Sequence, residues 1–261
     1  MTAKSLAELL NEKVEQYNRP SFIPKDPICI PHSFSQKQDI EISGFFAALF
    51  AWGQRTTIIN KSKELMTLMD NAPYDFIINH SPKDRKKFLE FKHRTFQAVD
   101  IIFLISFLQK HYNNFESLED AFLQEGYAKT KTECTIQEMR LRNFYEYVFS
   151  HEHLDRSHKH IATPAKNSAC KRLNMFLRWM VRKDKKGVDF GIWNKISPAE
   201  LIIPFDVHVC RVANKLHLLS SEKSNWNQAT SLTEQLKTLD ETDPIKYDFA
   251  LFGMGVLEEK I

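Results

Sequence analysis

The chain has 261 residues, 43% of them hydrophobic and 26% charged, with a formal net charge of +3. That length supports one large or two modest cores, and the balance of residue types excludes a disordered or low-complexity polymer. Only seven glycines occur, which argues against a turn-rich β-sandwich or a glycine loop for nucleotides, and the long amphipathic runs predict an all-α fold.

In chain order, an amphipathic helix comes first. Leu6, Leu9, Leu10, Val14 and Tyr17 share a face, interleaved with Glu8, Glu12, Lys13 and Glu15, a pattern of a surface helix rather than a signal peptide. Residues 20–31, punctuated by Pro20, Pro24, Pro27 and Pro31, read as an extended connector. A helix is predicted from near Ser35, with Phe45, Phe46, Leu49 and Phe50 facing inward. Further helical blocks are predicted over 56–69, 84–91, 95–111, 118–124, 136–149, 169–181, 207–216, 226–239 and 245–253. Residues 113–133 are the least regular and read as a surface excursion, and 151–166 read as a polar loop. The longest apolar stretches, 45–52 and 101–108, fall short of the ~20 residues needed to cross a bilayer. A cytoplasmic protein without a membrane partner is expected.

Cys29, Cys134, Cys170 and Cys210 are scattered, a spacing of isolated reduced thiols and not of a zinc site or iron-sulfur cluster. Between Arg156 and Lys186 there are ten Lys or Arg against the single acid Asp184, whereas Asp240, Glu241, Asp243 and Asp248 make the tail acidic. Such a basic belt is either a phosphate-binding surface or an ordinary solvated face. His151, His153, His158 and His160 could hold a transition metal through two His-x-His pairs, but they fall in the polar loop and are expected to be solvated. No metal and no cofactor is predicted.

The most informative segment is Ile203-Pro204-Phe205-Asp206-Val207-His208-Val209-Cys210-Arg211. It places a lone carboxylate at the mouth of a helix, where it can cap the first amides and also face a ligand bearing positive charge. By itself Asp206 reads first as an ordinary N-cap.

Pro204-Phe205-Asp206-Val207-His208-Val209 resembles the aspartate signature of the helix-hairpin-helix DNA glycosylases, the superfamily of endonuclease III and the 8-oxoguanine glycosylases. Two more segments share the likeness. Ala51-Trp52-Gly53-Gln54-Arg55-Thr56-Thr57 resembles the glutamine segment of that superfamily, in which an amide can pair with the base edge left exposed when a nucleotide is displaced. Cys170-Lys171-Arg172-Leu173-Asn174-Met175-Phe176-Leu177 looks like the start of the helix after the hairpin, where relatives with lyase activity carry their lysine nucleophile. Residues 243–255 are similar to the closing helix that ends in glycine. The wording of these motifs resembles an uncharacterised bacterial subgroup without the iron-sulfur cluster. One departure concerns the hairpin itself: Ala165-Lys166-Asn167-Ser168-Ala169 has no glycine, although Asn167 tolerates a left-handed backbone.

At about 100° per residue, Lys171, Asn174, Arg178 and Arg182 share one polar stripe of a helix that is otherwise apolar. That stripe is either the wet side of the helix or the wall of a site, and in the second case the arginines help to keep Lys171 neutral. The insertion over 183–200 contains Gly187, Asp189, Phe190, Gly191, Ile192 and Trp193, which either line a base pocket or pack.

The resemblance implies a two-lobed helical architecture with a cleft between the lobes, one lobe 1–50 plus 183–261, the other 51–182 with a degenerate hairpin near 164–172. It implies double-stranded DNA as partner and association with the nucleoid, with Asp206 and Lys171 catalytic and with DNA contacts from Gln54, Thr56, Lys166, Asn167, Ser168, Arg172, His208 and Arg211. The activity implied is a DNA N-glycosylase acting on a flipped damaged or mispaired base, with abasic-site lyase chemistry if Lys171 acts as a nucleophile. A catalytically silent DNA-binding relative and an all-α protein-interaction scaffold stay open.

Overall fold

A computed structural model describes residues 3–129 and 134–256. It is all-α: the described residues form eleven α-helices, several 3-10 turns and one two-stranded ribbon. The chain divides into two compact units, an inserted unit, Pro24–Ile161, and a split unit made of Met1–Ile23 and Ala162–Ile261. No helix among the described residues is long and apolar enough to cross a membrane.

The stretch predicted as an extended connector is instead three 3-10 turns, Pro20–Lys25, Pro27–Cys29 and Pro31–Ser33. Proline's fixed φ suits the first residue of a helical turn as well as an extended chain. Asp26 decides the middle turn, accepting a hydrogen bond from the Ile28 N–H at 3.1 Å.

In the inserted unit, α2 (Lys37–Phe50) is buried on every side from Ile40 to Phe50, as expected of a helix that is apolar all round. Its one buried charge, Glu41, accepts hydrogen bonds from Tyr112 Oη (2.8 Å), Ser117 Oγ (2.5 Å) and the Leu118 N–H (3.0 Å), which offset its desolvation. Around it lie α3 (Arg55–Leu68), α4 (Pro73–Asn79), α5 (Ala98–Tyr112), the single turn α6 (Glu119–Phe122) and α7 (Ile136–Phe149). Phe144 of α7 stacks on Phe122 at 4.0 Å and meets Phe45 edge-on at 6.1 Å.

Three local predictions change here. The helix expected from residue 95 starts at Ala98, because β1 (Lys92–His93) and β2 (Phe96–Gln97) pair as a ribbon around Arg94 at φ 53°, and Gln97 with Asp100 forms a capping box. The block over 84–91 is a 3-10 turn, Asp84–Phe88. Helix α4 was not predicted, although Pro73 at its first turn marks it. Part of the irregular stretch 113–133 falls outside the described residues.

In the split unit, α1 (Ala3–Tyr17), α8 (Lys171–Val181), α9 (Val207–Lys215), α10 (Trp226–Lys237) and α11 (Tyr247–Val256) build the core. Helix α11 packs against both α1 and α9. Two glycines allow it: a Cβ on Gly253 would overlap the Tyr17 ring, and one on Gly255 would sit 3.1 Å from the Cβ of His208.

These units differ from the expected lobes in where they divide. Helix α2 is the core of the inserted unit, so 24–50 belongs with it. Helix α8 is built into the split unit: Phe176 meets Trp193 edge-on at 5.3 Å, and Arg178 pairs with Asp189 and Asp248. The hairpin region therefore shares a unit with Asp206.

Candidate active site

The approach to Lys171 is a pair of left-handed turns made without glycine. Thr163 Oγ1 accepts from the Ala165 N–H (3.3 Å) to open the turn Pro164–Lys166, and Asn167 then takes φ 54°, ψ 27°. Cys170 takes φ 50°, ψ 31°, a conformation uncommon for a residue with a Cβ. Hydrogen bonds hold it there: its N–H donates to Ser168 Oγ (3.2 Å), its carbonyl accepts from the Asn174 N–H (2.9 Å), and the buried Asn174 Nδ2 donates to the Ala169 carbonyl (3.1 Å). The consequence is that α8 begins at Lys171, whose side chain keeps 26% exposure.

Asp206 stands at the N-cap of α9. Both backbone hydrogen bonds it accepts, from His208 N–H (2.9 Å) and Val209 N–H (3.0 Å), fall on Oδ1. Its Oδ2 lies 3.8 Å from Lys171 Nζ. One oxygen thus performs the capping while the other faces an amine 35 residues earlier in the chain, with a gap longer than a hydrogen bond. The two candidate catalytic residues meet.

The polar stripe of α8 beyond Lys171 is neither a wet face nor the wall of a site. Arg178 is buried: its Nε donates to Asp189 Oδ1 (3.2 Å), its Nη1 to Asp248, and its guanidinium lies 4.3 Å from the Phe249 ring centroid. Arg182, also buried, donates to Asp243 Oδ2 (2.9 Å), Asp184 Oδ2 (2.7 Å) and Asp189 Oδ2 (3.1 Å). The expectation that these arginines crowd Lys171 with positive charge is replaced by one in which carboxylates neutralise them.

Asp248 is the residue that sequence reasoning missed. It is 4% exposed, and burial pushes its carboxyl up to about 6, with the negative charge of Asp206 adding to the shift, against the opposing pull of Arg178 and Lys171. Four carboxylates (Asp184, Asp189, Asp243, Asp248) share two guanidiniums there. Burial likewise raises Asp243, against Arg182. A single acid in the apolar run Tyr247-Asp248-Phe249-Ala250-Leu251 was the available signal, because an acid placed so is seldom solvated.

The other predicted contacts fall into groups. Lys166 and Asn167 are exposed on the hairpin and Ser168 is half-buried, its hydroxyl engaged by Cys170. Arg172 is half-buried, and burial lowers its pKa. His208 is half-buried against α11, where Gly255 makes room for it. Arg211 donates to the Gly255 carbonyl at 2.6 Å, closing the last turn of α11. Gln54 and Thr56 are exposed at the start of α3, where Gln54 is the N-cap but makes no side-chain capping bond; they belong to the inserted unit. In the insertion, Val188, Asp189 and Trp193 are buried and pack, and Gly191 and Trp193 also border an open cavity of about 400 Å³ with Lys183 and Lys195.

Fold and geometry together define an all-α protein with a lysine and an aspartate converging from the first turns of two helices. Residues 26–257 match the family described as "Protein of unknown function (DUF2400)", and the chain belongs to that family. No curated protein and no solved structure matches the chain.

Proposed function

We propose that the protein is a DNA N-glycosylase with abasic-site lyase activity, acting on a nucleotide rotated out of the duplex. The observation that carries this reading is the 3.8 Å approach of Lys171 Nζ to Asp206 Oδ2 with both side chains partly open to solvent. Cleavage of the bond between base and sugar builds positive charge on the sugar ring, and a fixed carboxylate oxygen stabilises that charge more in a site of low dielectric than in water. Oδ2 of Asp206 is available for this role because the helix amides use Oδ1.

Once its proton has been given up, the Lys171 amine adds to the sugar carbon as the carbon–nitrogen bond to the base breaks, and the departing base takes up a proton. Ring opening leaves a Schiff base, and loss of a proton from the neighbouring carbon expels the 3′ phosphate. Water then hydrolyses the Schiff base and frees the lysine.

Borohydride reduction in the presence of duplex DNA bearing an abasic site tests this without knowledge of the natural lesion. A covalent protein–DNA adduct is expected with the wild-type chain and none with Lys171→Ala. Absence of an adduct from the wild type, or equal trapping by the variant, overturns the assignment of the nucleophile.

A further inference from the structure

The polar loop after α7 carries four histidines, and the structure gives them different surroundings. His160 is buried, stacked on Phe96 at 3.7 Å with its Nε2 3.2 Å from Asp100 Oδ2. His151 Nδ1 donates to the Tyr147 carbonyl at 3.1 Å. The other two point at each other: His153 Nε2 and His158 Nε2 are 3.0 Å apart. A carboxylate oxygen of Asp155 joins them, the three ligand atoms lying within 4.8 Å of one another.

The far sides of both rings are held. His153 Nδ1 donates to the His151 carbonyl at 2.6 Å; a carbonyl only accepts, so this nitrogen carries the hydrogen and the neutral ring keeps a lone pair on Nε2. His158 Nδ1 lies 2.7 Å from Tyr145 Oη. When the phenol oxygen accepts, His158 Nε2 presents a second lone pair to the first, and a cation between them relieves the repulsion. A ring nitrogen hydrogen-bonded to a carbonyl or hydroxyl is the arrangement that orients metal-binding histidines. Phe149 fixes both rings from one side, 4.0 Å from His158 and 5.0 Å from His153.

We propose that His153, Asp155 and His158 form a binding site for a divalent transition-metal ion, with zinc the best match to two imidazoles and a carboxylate. Zinc–nitrogen bonds of about 2.0–2.1 Å in tetrahedral geometry set the two nitrogens roughly 3.4 Å apart, so the rings open by a few tenths of an ångström. Asp155 is exposed, and its side chain swings inward to complete the set. Solvent takes the fourth position. The ion fastens the turn Asp155–His160 to His153 in the segment that follows α7, beside Tyr145 and Phe149 of that helix. Without metal, the pair is a hydrogen bond in which Tyr145 donates to His158 and His158 donates to His153.

The full chain, freed of any affinity tag and stripped with a chelator, is titrated with Zn²⁺ by calorimetry and with Co²⁺ by visible absorption, and its melting temperature is followed with and without Zn²⁺. One ion per chain and a rise in melting temperature are expected. His153→Ala and His158→Asn abolish both effects, Asp155→Asn weakens binding at least tenfold, and His151→Ala leaves it unchanged. The use of two histidine variants, each checked by circular dichroism, guards against one failing to fold. No binding and no thermal gain in the wild type overturn the site, as does binding of equal affinity in the histidine variants.

Discussion

The two oxygens of Asp206 are placed differently: Oδ1 caps α9 and Oδ2 faces Lys171. Asp206→Ala removes the cap of α9 and is expected to cost about 1 kcal/mol of stability, whereas Asp206→Asn keeps an oxygen for the amides and costs a few tenths. If the proposed glycosylase reading holds, base release from a responsive duplex falls by about 10²- to 10³-fold in both, since both remove the charge. Denaturant melts set beside release rates check this. A variant series in which activity simply follows stability would mean that the residue only caps. Asp248 offers a second test. Its carboxyl rises from an ordinary 3.8 to about 6 in the folded chain, so the folded state binds the proton more tightly than the unfolded one, and stability falls as pH climbs through that window. The shift corresponds to about 3 kcal/mol lost between pH 4 and pH 7, relative to Asp248→Asn, which cannot titrate. Parallel pH profiles for the two proteins would remove the effect. Lys171 and Asp206 were legible in the sequence because each lies at a helix start inside a local motif. Asp248 was not, because its partner Arg178 lies 70 residues away and an acid near other acids reads as a solvated tail.

Between elements, α1 approaches α11 closely at Gly253. An added methyl there meets the Tyr17 ring, so Gly253→Ala is expected to destabilise the chain by about 1–3 kcal/mol. Gly255→Ala, whose nearest neighbours are 3.1 Å away, costs less. Thermal melts of the two variants check the order, and a reversed order would place the tight contact on α9 instead. Such long helices were visible in advance: the blocks 169–181, 207–216, 226–239 and 245–253 fall on α8 to α11 with ends displaced by at most three residues, because apolar periodicity over three turns is a strong signal. The short elements were not. The ribbon at 92–97, α4 and the 3-10 turns near Pro24 are too short for an apolar period to show, and proline alone does not distinguish a turn from a strand.

The charge of the whole molecule carries the last prediction. Ten Lys or Arg lie between Arg156 and Lys186, and a belt in which all ten met phosphates would give a salt slope of about −9 for duplex DNA. The structure removes half of them from that role. Arg178 and Arg182 are committed to buried carboxylates, Lys171 faces Asp206, Lys186 pairs with Glu15, and Arg156 is engaged by Gln97, Thr95 and Asp100. Lys159, Lys166, Arg172, Lys183 and Lys185 are the most that the stretch can offer. If the protein binds duplex DNA through it, the logarithm of the binding constant should fall against the logarithm of salt concentration with a slope no steeper than about −4 to −5. Fluorescence anisotropy with a labelled duplex across a salt series measures it. Lys166→Ala on the hairpin should flatten the slope by about 1 and weaken binding alike on all sequences. A slope near zero would remove the electrostatic basis for DNA binding and leave the scaffold reading. A slope near −9 would require the internal ion pairs of α8 to open on contact, which their burial opposes.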